Sequence, residues 1–290
     1  MLRRLLLRLL RDLALIPVTA LLVYELAAAL PVPSTDPKVT VRLEQERGSA
    51  LAFLQPWQRL VRGGPIGDKD PKSTRDLGHA LAGSLRIGLL GLLFALALGA
   101  AWAGVRTVLH SAVVDGVLEG LTILAYGTPA FVLALLVAMA VQHVPGAISL
   151  EPIAAAVVSI GPGVFLGTVL GGALRTEAGK PYMLTAVAKG RTRLGAVLIH
   201  ALPNALPSLL DALAPVATAL LAGSFVVETL FNLTYFGHLY VTAAASNDRD
   251  LVVVCTTVFA ALLVLVSMAV EFARLGLDPR ARTAALEADE

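Results

Sequence analysis

The chain is short of charge and almost without cysteine, and each shortage excludes something. Asp, Glu, Lys and Arg make up 15% of its 290 residues, against 57% hydrophobic. An ordinary soluble domain is about 25% charged, so too little polar surface is present to cover a water-soluble globule. The formal net charge is only +2, and the basic residues lie beside apolar segments instead of forming one patch, which gives no reason to expect nucleic acid as a partner. Cys255 is the single cysteine; no intrachain disulfide can form, and thiols say nothing about compartment. Several chemical motifs are missing as well. No G-x-x-x-x-G-K-[ST] run occurs, since the nearest candidate, Gly179-Lys180, has Leu174 where the first glycine is required. Neither G-x-S-x-G nor H-E-x-x-H is found, which removes the groups an intramembrane hydrolase needs. His79, His110, His143, His200 and His238 are too far apart to form a local metal motif, so neither a metal nor a cofactor is expected on this chain.

What is abundant is apolar sequence in blocks long enough to cross hydrocarbon, which takes about 20 residues per helix. Six candidate spans follow one another: Leu13 to Leu30, Leu81 to Val105, Val117 to Val141, Pro152 to Leu174, Leu206 to Leu230, and Leu251 to about Phe272. The expected class is therefore an all-α polytopic membrane protein, with residues 1–290 forming one membrane domain. Arg3, Arg4, Arg8 and Arg11 precede the first block; the same pattern, with Ala27-Ala28-Ala29 behind it, also fits a cleaved signal peptide. Residues 31–80 are polar and contain Pro31, Pro33, Pro37, Pro56, Pro65 and Pro71, so they belong outside the bilayer.

Orientation follows from the short loops. Arg175, Lys180, Lys189, Arg191 and Arg193 crowd the connection between the fourth and fifth blocks, whereas Gln142 to Glu151 has no Lys or Arg and Phe231 to Asp250 has only Arg249. By the positive-inside rule the 175–206 segment faces the cytoplasm, 31–80 lies on the far side, and both termini, including the 273–290 tail with Arg274, Arg280 and Arg282, are cytoplasmic. The 31–80 loop carries eight basic residues itself, but it approaches the length at which the rule weakens.

Gly163, Gly167 and Gly171 recur every fourth residue in the fourth block, which predicts close approach of another helix on that face. Ionisable residues in or near the spans are Glu25, Arg86, Glu119, Asp211, Glu228 and Glu271. Glu119 and Glu228 are kept as possible pathway residues, because charge in lipid is costly and often functional; snorkelling or subunit contact is the alternative near span ends. Between the fourth and fifth blocks, Pro181 opens a helical stretch, Gly190 interrupts it, and a second stretch runs from Thr192 until Pro203 and Pro207 stop it. Tyr182, Thr185, Ala186 and Lys189 in the first half, and Leu194, Val197, Leu198 and Ala201 in the second, have the spacing to offer a stripe to a partner. Such a helix can dock in a protein groove or rest on lipid.

These residues carry a resemblance. Tyr182-Met-Leu-Thr-Ala-Val-Ala-Lys-Gly190, then His200-Ala-Leu-Pro-Asn204-Ala-Leu-Pro207, resembles the cytoplasmic loop of permeases from the peptide and nickel class of binding-protein-dependent ABC importers. Gly223-Ser-Phe-Val-Val-Glu228-Thr-Leu-Phe231, Arg249-Asp250 and Asp278-Pro-Arg-Ala-Arg282 are similar to downstream elements of that family, in the same order. Val187 stands where an arginine is common, Pro181 where an acidic residue often precedes the tyrosine, and Asn232-Leu-Thr-Tyr-Phe-Gly237 replaces an expected proline and glycine. The resemblance implies a type I importer permease in a bacterial inner membrane. Its coupling loop would be carried by Tyr182, Ala186, Ala188, Lys189, Gly190, His200, Asn204 and Pro207. The implied partners are ABC ATPase subunits that hydrolyse the ATP, a second permease and an extracytoplasmic solute-binding protein, and the implied cargo is peptides, with nickel or another small solute as alternative. An ion-coupled secondary transporter also fits membrane carboxylates and broken helices, though the two halves of the sequence show no convincing repeat.

Overall fold

The computed structural model describes residues 11, 13–23, 54–61, 73–109, 111–141, 149–246 and 248–277. The described residues form helices and their connections: α1 (Leu13–Val23), α2 (Gln55–Val61), α3 (Ser73–Val108), α4 (Ala112–Gly127), α5 (Ala130–Val141), α6 (Leu150–Ala178), α7 (Pro181–Ala188), α8 (Arg193–Ala196), a π-helical turn Val197–Ala201, α9 (Leu202–Leu230), α10 (Phe236–Ala245) and α11 (Arg249–Leu277). Helix is what lipid demands of a spanning segment, because each backbone polar group must be satisfied within it.

Among the described residues four helices are long and apolar enough to cross a membrane, or five if the bent pair α4 and α5 counts as one span. The sixth expected span is represented by α1 alone, since residues 24–30 lie outside the described residues, as do most of the 31–80 loop and the 278–290 part of the tail. Of that loop, α2 and the start of α3 are helical, so the second span begins earlier than Leu81.

Two further expectations are corrected. The block Val117 to Val141 is not one straight helix, because α4 and α5 meet at 91°. Pro129 has no N–H to continue α4 and biases Thr128 away from helical geometry; Thr128 is extended at φ −96° and ψ 114°. The freed Pro129 carbonyl starts α5 by accepting from the Val132 N–H at 2.9 Å. Nor do Pro203 and Pro207 stop the helix of the 175–206 segment. Helix runs from Arg193 to Leu230, because the chain first widens: the Leu202 N–H bonds back to the Val197 carbonyl, five residues away as in a π turn.

The chain divides into two units. In the one formed by residues 85–233 and 266–290, α6 is the central element. Its Ala154, Val157, Val158 and Leu166 pack with Ala95 of α3, Ala134 and Ala138 of α5, and Ala212, Val216 and Leu220 of α9. Small residues let the backbones approach closely, which replaces the hydrophobic drive that lipid does not provide. Gly167 is the tightest point: a Cβ there would stand 2.5 Å from the Trp102 Cβ and 2.9 Å from the Gly99 carbonyl oxygen. At Gly163 a Cβ would meet Leu98 at 2.8 Å, and at Gly171 the Ala103 Cα at 3.6 Å. In the other unit, residues 1–84 and 234–265, the Ser84 hydroxyl accepts the Phe236 N–H at 3.0 Å and Arg59 pairs with Asp250 at 2.7 Å.

Candidate functional site

The segment that carries the family-like residues is built in three pieces. Pro181, with its fixed φ, is suited to a first helical turn and opens α7, while Lys180 before it is extended at ψ 150°. At the far end Gly190 adopts φ +83°. Its N–H bonds to the Val187 carbonyl at 2.9 Å and the Arg191 N–H to the Ala186 carbonyl at 3.3 Å. That pair of bonds is a Schellman cap, whose left-handed position favours glycine. The chain then re-enters helix at Thr192, whose hydroxyl accepts the Gly195 N–H at 3.1 Å. Gly190→Ala is expected to leave the surrounding packing intact, since no atom lies within 4 Å of the added Cβ, but to cost about 1–2 kcal/mol in backbone strain. Limited proteolysis between residues 188 and 193 checks it, and an unchanged cleavage rate would count against the cap.

The π turn explains the next motif. The Asn204 side-chain amide donates to the His200 carbonyl at 2.8 Å, satisfying an acceptor in a stretch where the wide turn and Pro203 disturb the regular ladder. His200, Asn204 and Pro207 are all half-buried. His200 and Asn204 lie at the geometry that joins α8 to α9, and Pro207 lies within α9.

Met183 and Ala186 of α7 are buried with Ala196, Val197, Ala201 and Ala205 against Leu170 and Leu174 of α6 and Ala103 of α3, with Tyr182 half-buried beside them. Ala188, Lys189 and Gly190 are exposed. The expected stripes are thereby divided. Tyr182 and Ala186 turn inward with Met183, whereas the apolar residues left outside are Leu184, at 76% exposure, and Val187, at 46%. In the second half Val197 and Ala201 are buried, and Leu194 and Leu198 are exposed. Helical spacing locates a stripe but does not say which of two apolar stripes the protein itself uses.

One residue of this site went unnoticed in the sequence. Glu177, in the last turn of α6, is 9% exposed. Its Oε2 accepts from the Tyr182 hydroxyl at 2.7 Å and its Oε1 from the Lys180 Nζ at 2.6 Å. The acidic residue five before the tyrosine was the only available signal, and nothing in spacing says that the Gly179 turn folds it back.

Several of the remaining ionisable residues form ion pairs. Arg106 at the end of α3 binds Glu119 of α4 at 3.0 Å and stands 4.0 Å from Asp115, which Arg175 of α6 also engages. Asp211 of α9 binds Arg274 of α11 at 2.5 Å, with Glu271 at 3.6 Å from the same guanidinium. Glu228 is fully buried at 0% exposure, so within this chain its carboxylate reaches no open surface. It lies in the last turn of α9, where Asn232, at φ +53°, supplies the left-handed residue of a second Schellman cap, the Leu233 N–H bonding to the Glu228 carbonyl at 2.8 Å. Asparagine tolerates this left-handed conformation, which most side chains avoid. Among the described residues no cluster of His, Cys, Asp or Glu has the composition to hold a metal.

Residues 91–283 match the family described as binding-protein-dependent transport system inner membrane component. Similar sequences include the dipeptide transport system permease protein of Bacillus subtilis, 25% identical over 226 residues covering 75% of this chain and 73% of that protein. The oligopeptide transport system permease protein of Haemophilus influenzae is 25% identical, covering 76% of this chain and 75% of that one. That of Escherichia coli is 33% identical over a shorter 101 residues, 35% of this chain and 33% of its own. Among solved structures, an amino acid ABC transporter superimposes with a TM-score of 0.57 at 15% identity, covering 70% of this chain and 94% of that one. The likeness is one of fold.

Proposed function

We propose how this chain, which belongs to the family of binding-protein-dependent transport system inner membrane components, works: it is the membrane-spanning permease subunit of an ABC importer of di- or oligopeptides, driven by separate ATPase subunits. The cargo class rests on the dipeptide and oligopeptide relatives. The observation that carries the mechanism is the segment from Pro181 to Ala201, a pair of short helices fixed by a glycine cap and joined without interruption to α9. Its inward face is packed on α6, and its outward face presents Leu184, Val187, Leu194 and Leu198 among Lys189, Arg191 and Arg193. An apolar pair on a short helix is a groove-binding element. Because α8 continues into α9, a push on α7 reaches a membrane-length helix through the capped turn at Gly190 and the packing of α7 against Ala196, Val197 and Ala201.

In this reading 175–206 is the cytoplasmic coupling loop, 31–80 the extracytoplasmic loop and 273–290 a cytoplasmic tail, so that both termini are cytoplasmic. The chain acts with a second, related permease, and an extracytoplasmic binding protein delivers the solute. ATP is bound and hydrolysed by the partner subunits; the chain has no P-loop sequence. Glu119, exposed and paired with Arg106 near the same end of the bundle as α7, is assigned to opening and closing that end, and buried Glu228 to holding the end of α9. The test is affinity purification from membranes with the neighbouring proteins expressed. An ATPase is expected to copurify and to be lost when residues 182–204 are replaced by a flexible linker. Uptake that persists without any ATPase would overturn the reading.

A further inference from the structure

The inner face of α7 is apolar, and apolar contact is not directional. Met183 and Ala186 alone would let a helix of only eight residues slide or roll against α6. A directional tie is needed to hold its register, and the described residues contain one at its first turn: the two oxygens of Glu177, each with its own donor across the Gly179 turn. Resting on the coupling role proposed above, we infer that Glu177 is the positioning residue of the coupling helix, and that its bond to the Tyr182 hydroxyl sets the angle at which α7 meets the ATPase.

The two donors are unequal. The Lys180 side chain is 46% exposed, so water and salt screen its attraction. The Tyr182 hydroxyl is part-buried, and a hydrogen bond to a carboxylate in such surroundings is among the stronger ones. Its loss leaves a nearly buried carboxylate short of a donor, which costs more than the bond itself gains. Tyr182 therefore has two duties, its ring in the apolar cluster and its hydroxyl on Glu177. A glutamine at 177 keeps an oxygen that accepts the phenolic proton, whereas alanine keeps nothing.

The experiment uses the full chain in lipid nanodiscs, with amide hydrogen exchange of residues 181–189 as one readout and affinity for the copurifying ATPase as the other. Glu177→Ala is expected to raise exchange and to weaken ATPase binding, each about tenfold, and Tyr182→Phe to do the same within a factor of about three of that, in line with loss of one charge-assisted bond. Glu177→Gln is expected to restore both toward the parent, which a generally damaged fold would not allow. The double variant Glu177→Ala with Tyr182→Phe should be no worse than the worse single one, because the two act through one bond. Should Glu177→Ala fail to assemble, Tyr182→Phe, which keeps the packing, decides. Unchanged exchange in Tyr182→Phe overturns the inference, as does raised exchange with undiminished ATPase binding. A parent chain that binds no ATPase at all overturns the coupling role instead, and leaves the exchange result standing as a statement about the clamp.

Discussion

Gly167→Leu is expected to remove most of the folded protein from a mild-detergent extract, the largest effect on stability of any single substitution considered. The Cβ alone would fall 2.5 Å from the Trp102 Cβ and 2.9 Å from the Gly99 carbonyl oxygen. Neither neighbour is the free end of a side chain, so relief requires α3 and α6 to separate. Overpacking costs about 1–3 kcal/mol where a rotamer change can absorb it, and at Gly167 none can, so the loss should reach or pass the upper figure. A graded series follows from the same geometry. Gly163→Ala meets the Leu98 side chain at 2.8 Å and is partly relieved by its movement, while Gly171→Ala, at 3.6 Å from Ala103, is near neutral. Gly104 has nothing within 4 Å, so Gly104→Ala should hold or raise stability, by up to about 1 kcal/mol, through helix propensity. Melting temperatures of the four variants in one detergent test the order; a Gly167 variant that melts with the parent would show that α3 and α6 do not meet there.

The second large effect is on transport. Leu184→Asp is expected to leave the permease folded and membrane-inserted, since the side chain is 76% exposed, and to abolish ATP-driven uptake of a labelled tripeptide. Its cause would be the interface: an apolar anchor that fills a partner's pocket commonly accounts for about 2 kcal/mol or more of binding, and burying a carboxylate in the same pocket adds to the loss. Met183→Asp provides the contrast. It lies one residue earlier but at 5% exposure, packed on α6, and should damage the fold itself. Wild-type uptake by Leu184→Asp would sink the assignment of this face as the ATPase contact. Melting by Met183→Asp at the parent's temperature would sink the assignment of the inner face.

Much of this protein could be read from residue order because lipid is a strict solvent. Hydrocarbon requires helices of a certain length, so blocks of apolar residues located α3, α6, α9 and α11 to within several residues. It also rewards small residues at helix contacts, and the Gly163, Gly167 and Gly171 repeat was therefore visible before any partner helix was known. Proline was the less reliable guide. Pro129 breaks the span between α4 and α5, with Thr128 before it extended. Pro203 and Pro207 break nothing: the π turn at Val197–Ala201 and the Asn204 amide absorb the disturbance around Pro203, and Pro207 lies within α9. The same residue type had opposite outcomes because each depended on what neighbouring backbone groups found to bond.

The order of residues by itself determined the class of molecule, the position of the glycine-capped element at Gly190 and the crowding of basic residues around it, since composition, left-handed backbone freedom and the placement of Lys and Arg are properties of the chain alone. Only the folded chain decided which side of α7 faces inward, that Glu177 reaches Tyr182, and that Glu119 and Glu228 have such different surroundings. Those are matters of distance between segments far apart or folded back on themselves, and periodicity along one helix contains no information about what another helix places against it.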